Sequence, residues 1–187
     1  MDLNQIVTDA CRTLQSLAAQ RADFDRLAAA VTATLRRGGK LLTCGNGGSA
    51  ADALHLAEEL VGRYQRSRRS LPALCLNADP TLLTCIANDF GYDEVFARQV
   101  EGLAQPGDLL VAFTTSGNSP NIVRALAAAK ARGVTTAALL GKGGGQCRGL
   151  ADVEFIVAGN DTARIQEAHT VLLHALLEVV ERDVVPG

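Results

Sequence analysis

Apolar side chains recur at three- and four-residue spacing over residues 3–19 and again over 24–37, with a break near 20–23, which predicts two amphipathic helices. Gly38-Gly39 ends the second. Beyond it the pattern changes to short apolar runs at 40–44, 72–76, 108–113, 135–140 and 153–157, each opening into a loop and then a helical stretch. The helices fall at 49–62, 81–88, 94–104, 121–132 and 163–182. This alternation predicts an α/β fold, a five-stranded parallel sheet flanked by helices in the Rossmann-like manner. Such a sheet does not need the two leading helices. Their apolar faces bury either across the domain's own helices or against another copy of the chain, and the second is preferred. The expected organisation is a helical oligomerisation segment at 1–38 ahead of an α/β unit at 39–187, one structural domain in all.

Composition narrows the class. In 187 residues, 48% are hydrophobic but only 4% aromatic, with no Trp, so the core is built from Ala, Val, Leu and Ile. A formal net charge of −2 and the lack of a basic stripe with interleaved aromatics argue against nucleic acid as a partner. The basic stretch 63–69 reads as a solvated helix end and loop. Five cysteines (Cys11, Cys44, Cys75, Cys85, Cys147) are scattered singly with no C-x-x-C pair, which disfavours a zinc ribbon and a disulfide framework. No leader-like opening is visible, and no apolar run nears the roughly 20 residues that span a bilayer. A cytoplasmic protein without membrane contact is expected.

Two strand-to-helix loops have the composition to hold an anion. Cys44-Gly45-Asn46-Gly47-Gly48-Ser49 offers glycine backbone that a ligand can approach closely, with Asn46 and Ser49 as hydrogen-bonding side chains. Thr114-Thr115-Ser116-Gly117-Asn118-Ser119 places hydroxyls ahead of a helix, where they and free N–H groups bind phosphate without Lys or Arg. Each alone is also an ordinary turn composition. Together, in one layer of the sheet, they favour a phosphorylated ligand. The first loop formally satisfies G-x-G-x-x-A, but the next strand ends Leu76-Asn77, with Asp79 beyond it, so the acidic residue of a dinucleotide site is missing. Gly141-Lys142-Gly143-Gly144-Gly145 lacks the Lys-Ser/Thr of a P-loop. No nucleotide cofactor is expected.

Only His55, His169 and His174 supply imidazole. His55 and Glu59, four apart on the predicted helix after the first loop, share a face and can act on one ligand or metal, although such pairs are commonly surface contacts. Glu58 points about 100° away and serves as their solvated control. On the last predicted helix, Gln166 and His174 are separated by eight positions, about 12 Å of rise. His174 lies in an apolar run, where the alternative is a core histidine bonded to a backbone carbonyl.

The stretch C-G-N-G-G-S-x-x-D-A-x-H-x-A-E-E-L-x-G-R-Y from Cys44 to Tyr64 resembles the first active-site segment of the phosphoheptose isomerases, also called sedoheptulose-7-phosphate isomerases. Asn88-Asp89-Phe90-Gly91, Thr115-Ser116-Gly117-Asn118-Ser119, and Arg164-Ile165-Gln166-Glu167 with His174 in register extend the resemblance over nearly the whole chain. It implies the sugar-isomerase (SIS) fold, a homotetramer with sites near subunit interfaces, and conversion of sedoheptulose 7-phosphate to D-glycero-D-manno-heptose 7-phosphate through an enediolate. It further implies substrate contacts from Asn46, Gly47, Gly48, Ser49, Glu59, Asn88, Asp89 and Gln166, and a phosphate cradle of Thr114, Thr115, Ser116 and Ser119. His55, Glu59, Gln166 and His174 correspond to a zinc set, with Glu59 and His174 as the acid–base pair. Thr114 stands where Ser is commoner, which keeps the hydroxyl, and Ala50-Ala51 replace bulkier residues. A non-catalytic sister group of the same fold binds a replication initiator; its members lack the carboxylate and the final imidazole that Glu59 and His174 supply here. A domain that binds sugar phosphate without converting it is the remaining alternative.

Overall fold

In the computed structural model, which describes residues 2–185, helix α1 (Leu3–Leu17) passes through a 3-10 turn at Ala18–Gln20 into α2 (Arg21–Arg36). Met1 of the predicted leading segment and the last two residues of the predicted α/β unit lie outside the described residues. There follow β1 (Leu41–Gly45), α3 (Gly48–Val61), β2 (Ala73–Cys75), α4 (Pro80–Phe90), α5 (Ala97–Leu103), β3 (Leu109–Thr114), α6 (Pro120–Ala131), β4 (Thr135–Leu140), β5 (Val153–Ile156) and α7 (Thr162–Asp183). All five strands are parallel, in the order β2-β1-β3-β4-β5. The predicted helix at 94–104 is shorter. Asp93 and Glu94, both paired with Arg124 of α6, lie in or beside a separate 3-10 turn at Tyr92–Glu94.

Strands β1 and β3 are buried on both faces, which is why they read as unbroken apolar runs. Alternate residues serve opposite layers. Leu41, Leu109, Val111 and Phe113 face α2, α3 and α7, while Leu42, Cys44, Leu110 and Ala112 face α4, α5 and α6. Helix starts follow capping chemistry. Asp79 accepts from Leu82 N–H ahead of Pro80, and Asp161 accepts from the N–H groups of Ala163 and Arg164.

The second leading helix finds its partner within the chain, contrary to the preference stated above. Leu27, Ala28, Val31 and Leu35 of α2 are buried in the same core as α7. Helix α1 differs: it has no buried residue, and Leu3 and Val7 are 70% and 52% exposed. No described helix is long and apolar enough to cross a membrane.

Chain order fixes where a ligand can sit. From β1 the chain crosses through α3 to β2 on one side; from β3 it crosses through α6 to β4 on the other. The carboxyl ends of β1 and β3 are hydrogen-bonded neighbours whose following loops diverge, leaving a crevice at this switch point.

Candidate active site

Both predicted loops border that crevice and line one cavity of about 230 Å³, formed by Asn46, Gly47, Gly48 and Ser49 from the first and Thr114, Thr115, Ser116 and Ser119 from the second. Phe113, Thr162 and Gln166 complete it. Three larger clefts, of about 590 Å³ between α2 and α7, 420 Å³ between α1 and the start of α7, and 370 Å³ between α4 and α5, touch neither loop, so size does not single out the site; composition and position do.

Glycine is required at two positions here. Gly47 sits at φ +57°, left-handed backbone that lets the chain turn from β1 into α3, and a Cβ on Gly48 would strike the side-chain amide of Gln166. In the second loop, Thr114 Oγ1 accepts from Gly117 N–H at 3.1 Å and Ser116 Oγ from Asn118 N–H at 3.1 Å, which closes the turn. Ser119 occupies the N-cap of α6 without a side-chain capping bond. Its hydroxyl is left for a ligand at the positive end of that helix.

Asn46 has a different part from a free side-chain donor. Its amide exchanges two 2.9 Å hydrogen bonds with Asn121, and Tyr92 Oη donates to its Oδ1 at 3.0 Å. Asn77 likewise pins Gly45, donating to its carbonyl at 3.0 Å and accepting from its N–H at 3.2 Å. These ties fix the first loop across the crevice; Asn77, Tyr92 and Asn121 were not singled out from the sequence. Asn88 and Asp89 stand apart from the other expected contacts. Both are exposed on α4, Asn88 donates to Asp89 at 2.8 Å, and neither lines the cavity of a single chain.

The groups able to move protons gather on α3 and α7, the helices that also carry Gly48, Ser49 and Gln166 of the cavity. His55 Nε2 lies 3.4 Å from Glu59 Oε1 on α3, and the His174 ring from α7 meets the His55 ring edge-on, centroids 5.0 Å apart. Glu59 is partly buried, with 18% of its side chain exposed, whereas Glu58 is solvated as its position around the helix requires. None of His55, Glu59 and His174 lines the phosphate-loop cavity. Gln166 links the two regions: it lies in the cavity and on the same helix as His174, about 12 Å of rise away. An open-chain seven-carbon phosphate has a length of this order.

The core-histidine description weighed for His174 belongs to His169. That ring is fully buried, donates from Nε2 to the Leu140 carbonyl at 3.3 Å and leaves Nδ1 unpartnered; burial pushes its pKa down to about 4, with the Leu140 bond opposing. It is kept neutral and away from the chemistry.

Two imidazoles on one tetrahedral zinc, with bonds of about 2.0–2.1 Å, hold their ring centres about 5 Å apart. His55 and His174 have that spacing, and two imidazoles with a carboxylate suit zinc. Among the described residues no group of three or more His, Cys, Asp or Glu side chains is placed to hold a metal ion, and Gln166 lies against Gly48. Donor chemistry and ring spacing therefore fit the ion, in an arrangement that is open as it stands.

The SIS domain family model matches residues 7–141. A phosphoheptose isomerase of Paramagnetospirillum magneticum is 49% identical over 186 residues, 99% of this chain and 97% of its own. One of Akkermansia muciniphila is 47% identical over 173 residues, 92% of each chain. Among solved structures, a phosphoheptose isomerase of Neisseria gonorrhoeae superposes with a TM-score of 0.91 at 38% identity, covering 96% of this chain and 97% of that one. The chain belongs to the SIS-domain family of phosphoheptose isomerases.

Proposed function

We propose that this chain interconverts sedoheptulose 7-phosphate and D-glycero-D-manno-heptose 7-phosphate. The observation that carries the reading is the meeting of His55 with both Glu59 and His174 on α3 and α7, the two helices that also bring Gly48, Ser49 and Gln166 to the hydroxyl-lined cavity. In this reading the cavity holds the phosphate through hydroxyls, bare amides and the α6 N-terminus. Glu59 removes the C1 proton of the ketose, and the C1–H electrons form the C1–C2 double bond of an enediolate. His174 moves the hydroxyl proton between O1 and O2, and the carbon proton returns at C2 to give the aldose. Family membership and the presence of both groups favour an enzyme over an adaptor.

His55, Glu59, Gln166 and His174 would hold a zinc ion, supported by donor chemistry and ring spacing. Bound there, it supplies Lewis-acid stabilisation of the enediolate oxygens. A homotetramer is supported by the exposed apolar side chains Leu3 and Val7 of α1 and by Val171 of α7, which is 43% exposed. Light scattering on the purified protein would read four copies. Cytoplasmic residence goes with this reading and is checked by cell fractionation.

A coupled assay with sedoheptulose 7-phosphate tests the function. Expected is aldose phosphate formation that needs the phosphate group, with unphosphorylated sedoheptulose a far poorer substrate; no conversion of the phosphate would remove the reading.

A further inference from the structure

Tyr64 has no part in the substrate, zinc or proton-transfer assignments above. Its ring stacks on that of His174, centroids 5.6 Å apart and planes 21° apart, on an imidazole whose other aromatic neighbour is the edge of His55. An imidazole so placed has little freedom to turn.

Tyr64 lies on an irregular segment beyond the end of α3, and one buried carboxylate ties that segment down. Glu181, near the end of α7, accepts the backbone N–H groups of Tyr64 at 3.3 Å, Gln65 at 3.2 and 3.3 Å and Arg66 at 3.0 Å, together with Arg68 Nε at 3.0 Å. Arg68 in turn donates to the carbonyls of Glu59 at 2.6 Å and Leu60 at 3.0 Å, in the last turn of α3. The Arg68 and Glu181 side chains are 2% and 4% exposed, so one guanidinium in the basic stretch expected to be solvated is buried. A buried ion pair is a weak source of stability, because well-packed apolar residues often do as well. This one makes bonds that apolar residues cannot: it aligns three successive amides at and after Tyr64 and caps the helix end bearing Glu59.

We propose that Tyr64 is a positioning residue for the isomerisation, holding the His174 ring in its orientation against His55, the imidazole that meets Glu59, with the Arg68–Glu181 pair as the anchor that keeps Tyr64 in place. This rests on the isomerase reading. The ring, not the hydroxyl, is the working part, and His174 keeps its own role.

The test compares kcat, KM and thermal midpoint for the wild type, Tyr64→Phe and Tyr64→Leu. Tyr64→Phe keeps the stack and is expected within about twofold of wild type, while Tyr64→Leu loses about 10- to 100-fold in kcat with KM nearly unchanged and the midpoint held. Glu181→Gln alone strands a buried guanidinium and is apt to unfold the chain. The double variant Arg68→Met/Glu181→Leu removes both charges, and its kcat should fall to the level of Tyr64→Leu with KM kept. Wild-type kcat in Tyr64→Leu or in the double variant overturns the proposal. So does an equal loss in Tyr64→Phe, which would assign the role to the hydroxyl, or a kcat loss matched by a falling midpoint. Absence of turnover in the wild type itself would instead overturn the isomerase reading.

Discussion

Asp52 Oδ1 accepts the hydroxyl proton of Thr170 at 2.9 Å, tying α3 to α7 midway along the helix between Gln166 and His174. The carboxylate is buried, and its other oxygen has no partner. Burial pushes the Asp52 carboxyl above its usual range, with the Thr170 bond and the charge of His55 acting the other way.

A raised carboxyl pKa means that the fold favours the protonated form. The associated stability is present below the unfolded value and is lost as pH rises through the folded one. Asp52→Asn keeps an acceptor for Thr170 and removes the buried charge. The variant is expected to be more stable than wild type near neutrality, by about 1 kcal/mol, the order of a stranded buried polar atom. The gain should shrink toward the unfolded Asp pKa. Thermal midpoints of both proteins across pH 4 to 7, a window set by an ordinary Asp pKa of about 3.9, check this; an Asn variant less stable at pH 7 contradicts it.

Gly48→Ala should leave the fold intact and impair the site. The new Cβ meets the far end of the Gln166 side chain, which can swing aside, but in doing so it leaves the cavity. The expected outcome is a near-normal midpoint with activity lowered about tenfold or more, as misplacement of a site group gives. Gly45→Ala is the contrast, since its Cβ would strike the backbone of Ser49 and Ala50 and the chain should fail to fold. Circular dichroism with the coupled assay separates the two.

His169 sets an acid limb of stability. Its pKa of about 4 in the fold lies below the unfolded value near 6.5, so as pH falls between them the unfolded chain takes up a proton that the native chain refuses. Stability therefore drops across that window, by a few kcal/mol at most. Replacing His169 by Leu, which cannot be protonated, should flatten the slope of midpoint against pH over this range. An unchanged slope would mean that another group carries it.

Metal content addresses the imidazole pair. Protein purified without chelator is expected to carry about one zinc per chain, the stoichiometry of a single mononuclear site, and His55→Ala to lose it while remaining folded. Elemental analysis reads this directly; a wild type free of zinc after supplementation, or full zinc in His55→Ala, contradicts the assignment.

The layers of the fold are legible in the sequence for a physical reason. Strands such as Leu109–Thr114, buried on both faces, are unbroken apolar runs, and their ends are marked by glycine, capping aspartate and proline. Periodicity shows that α2 has an apolar face but not what covers it, and here Leu27, Val31 and Leu35 are covered from within. His169 and His174 both lie in apolar surroundings in sequence. Five positions apart, they point about 140° away from each other around α7. One therefore meets Phe113 of the sheet and the other His55 and Tyr64, a difference of helix phase that composition does not carry. Arg68 was hidden in a basic run because its partner, Glu181, is 113 residues away. The motif residues of the two loops were legible because backbone close to a ligand demands glycine and hydroxyl types locally.

In the proposed reaction Glu59 and His174 together move a proton between C1 and C2 of the sugar. Turnover of sedoheptulose 7-phosphate in D2O, followed by NMR at C2 of the aldose product, tests it most directly. Deuterium is expected at C2 with the wild type, and kcat lowered about 10²- to 10⁴-fold in Glu59→Gln and in His174→Gln, with Glu58→Gln unaffected. Wild-type turnover in either site variant, or product formed with no deuterium at all, would contradict it.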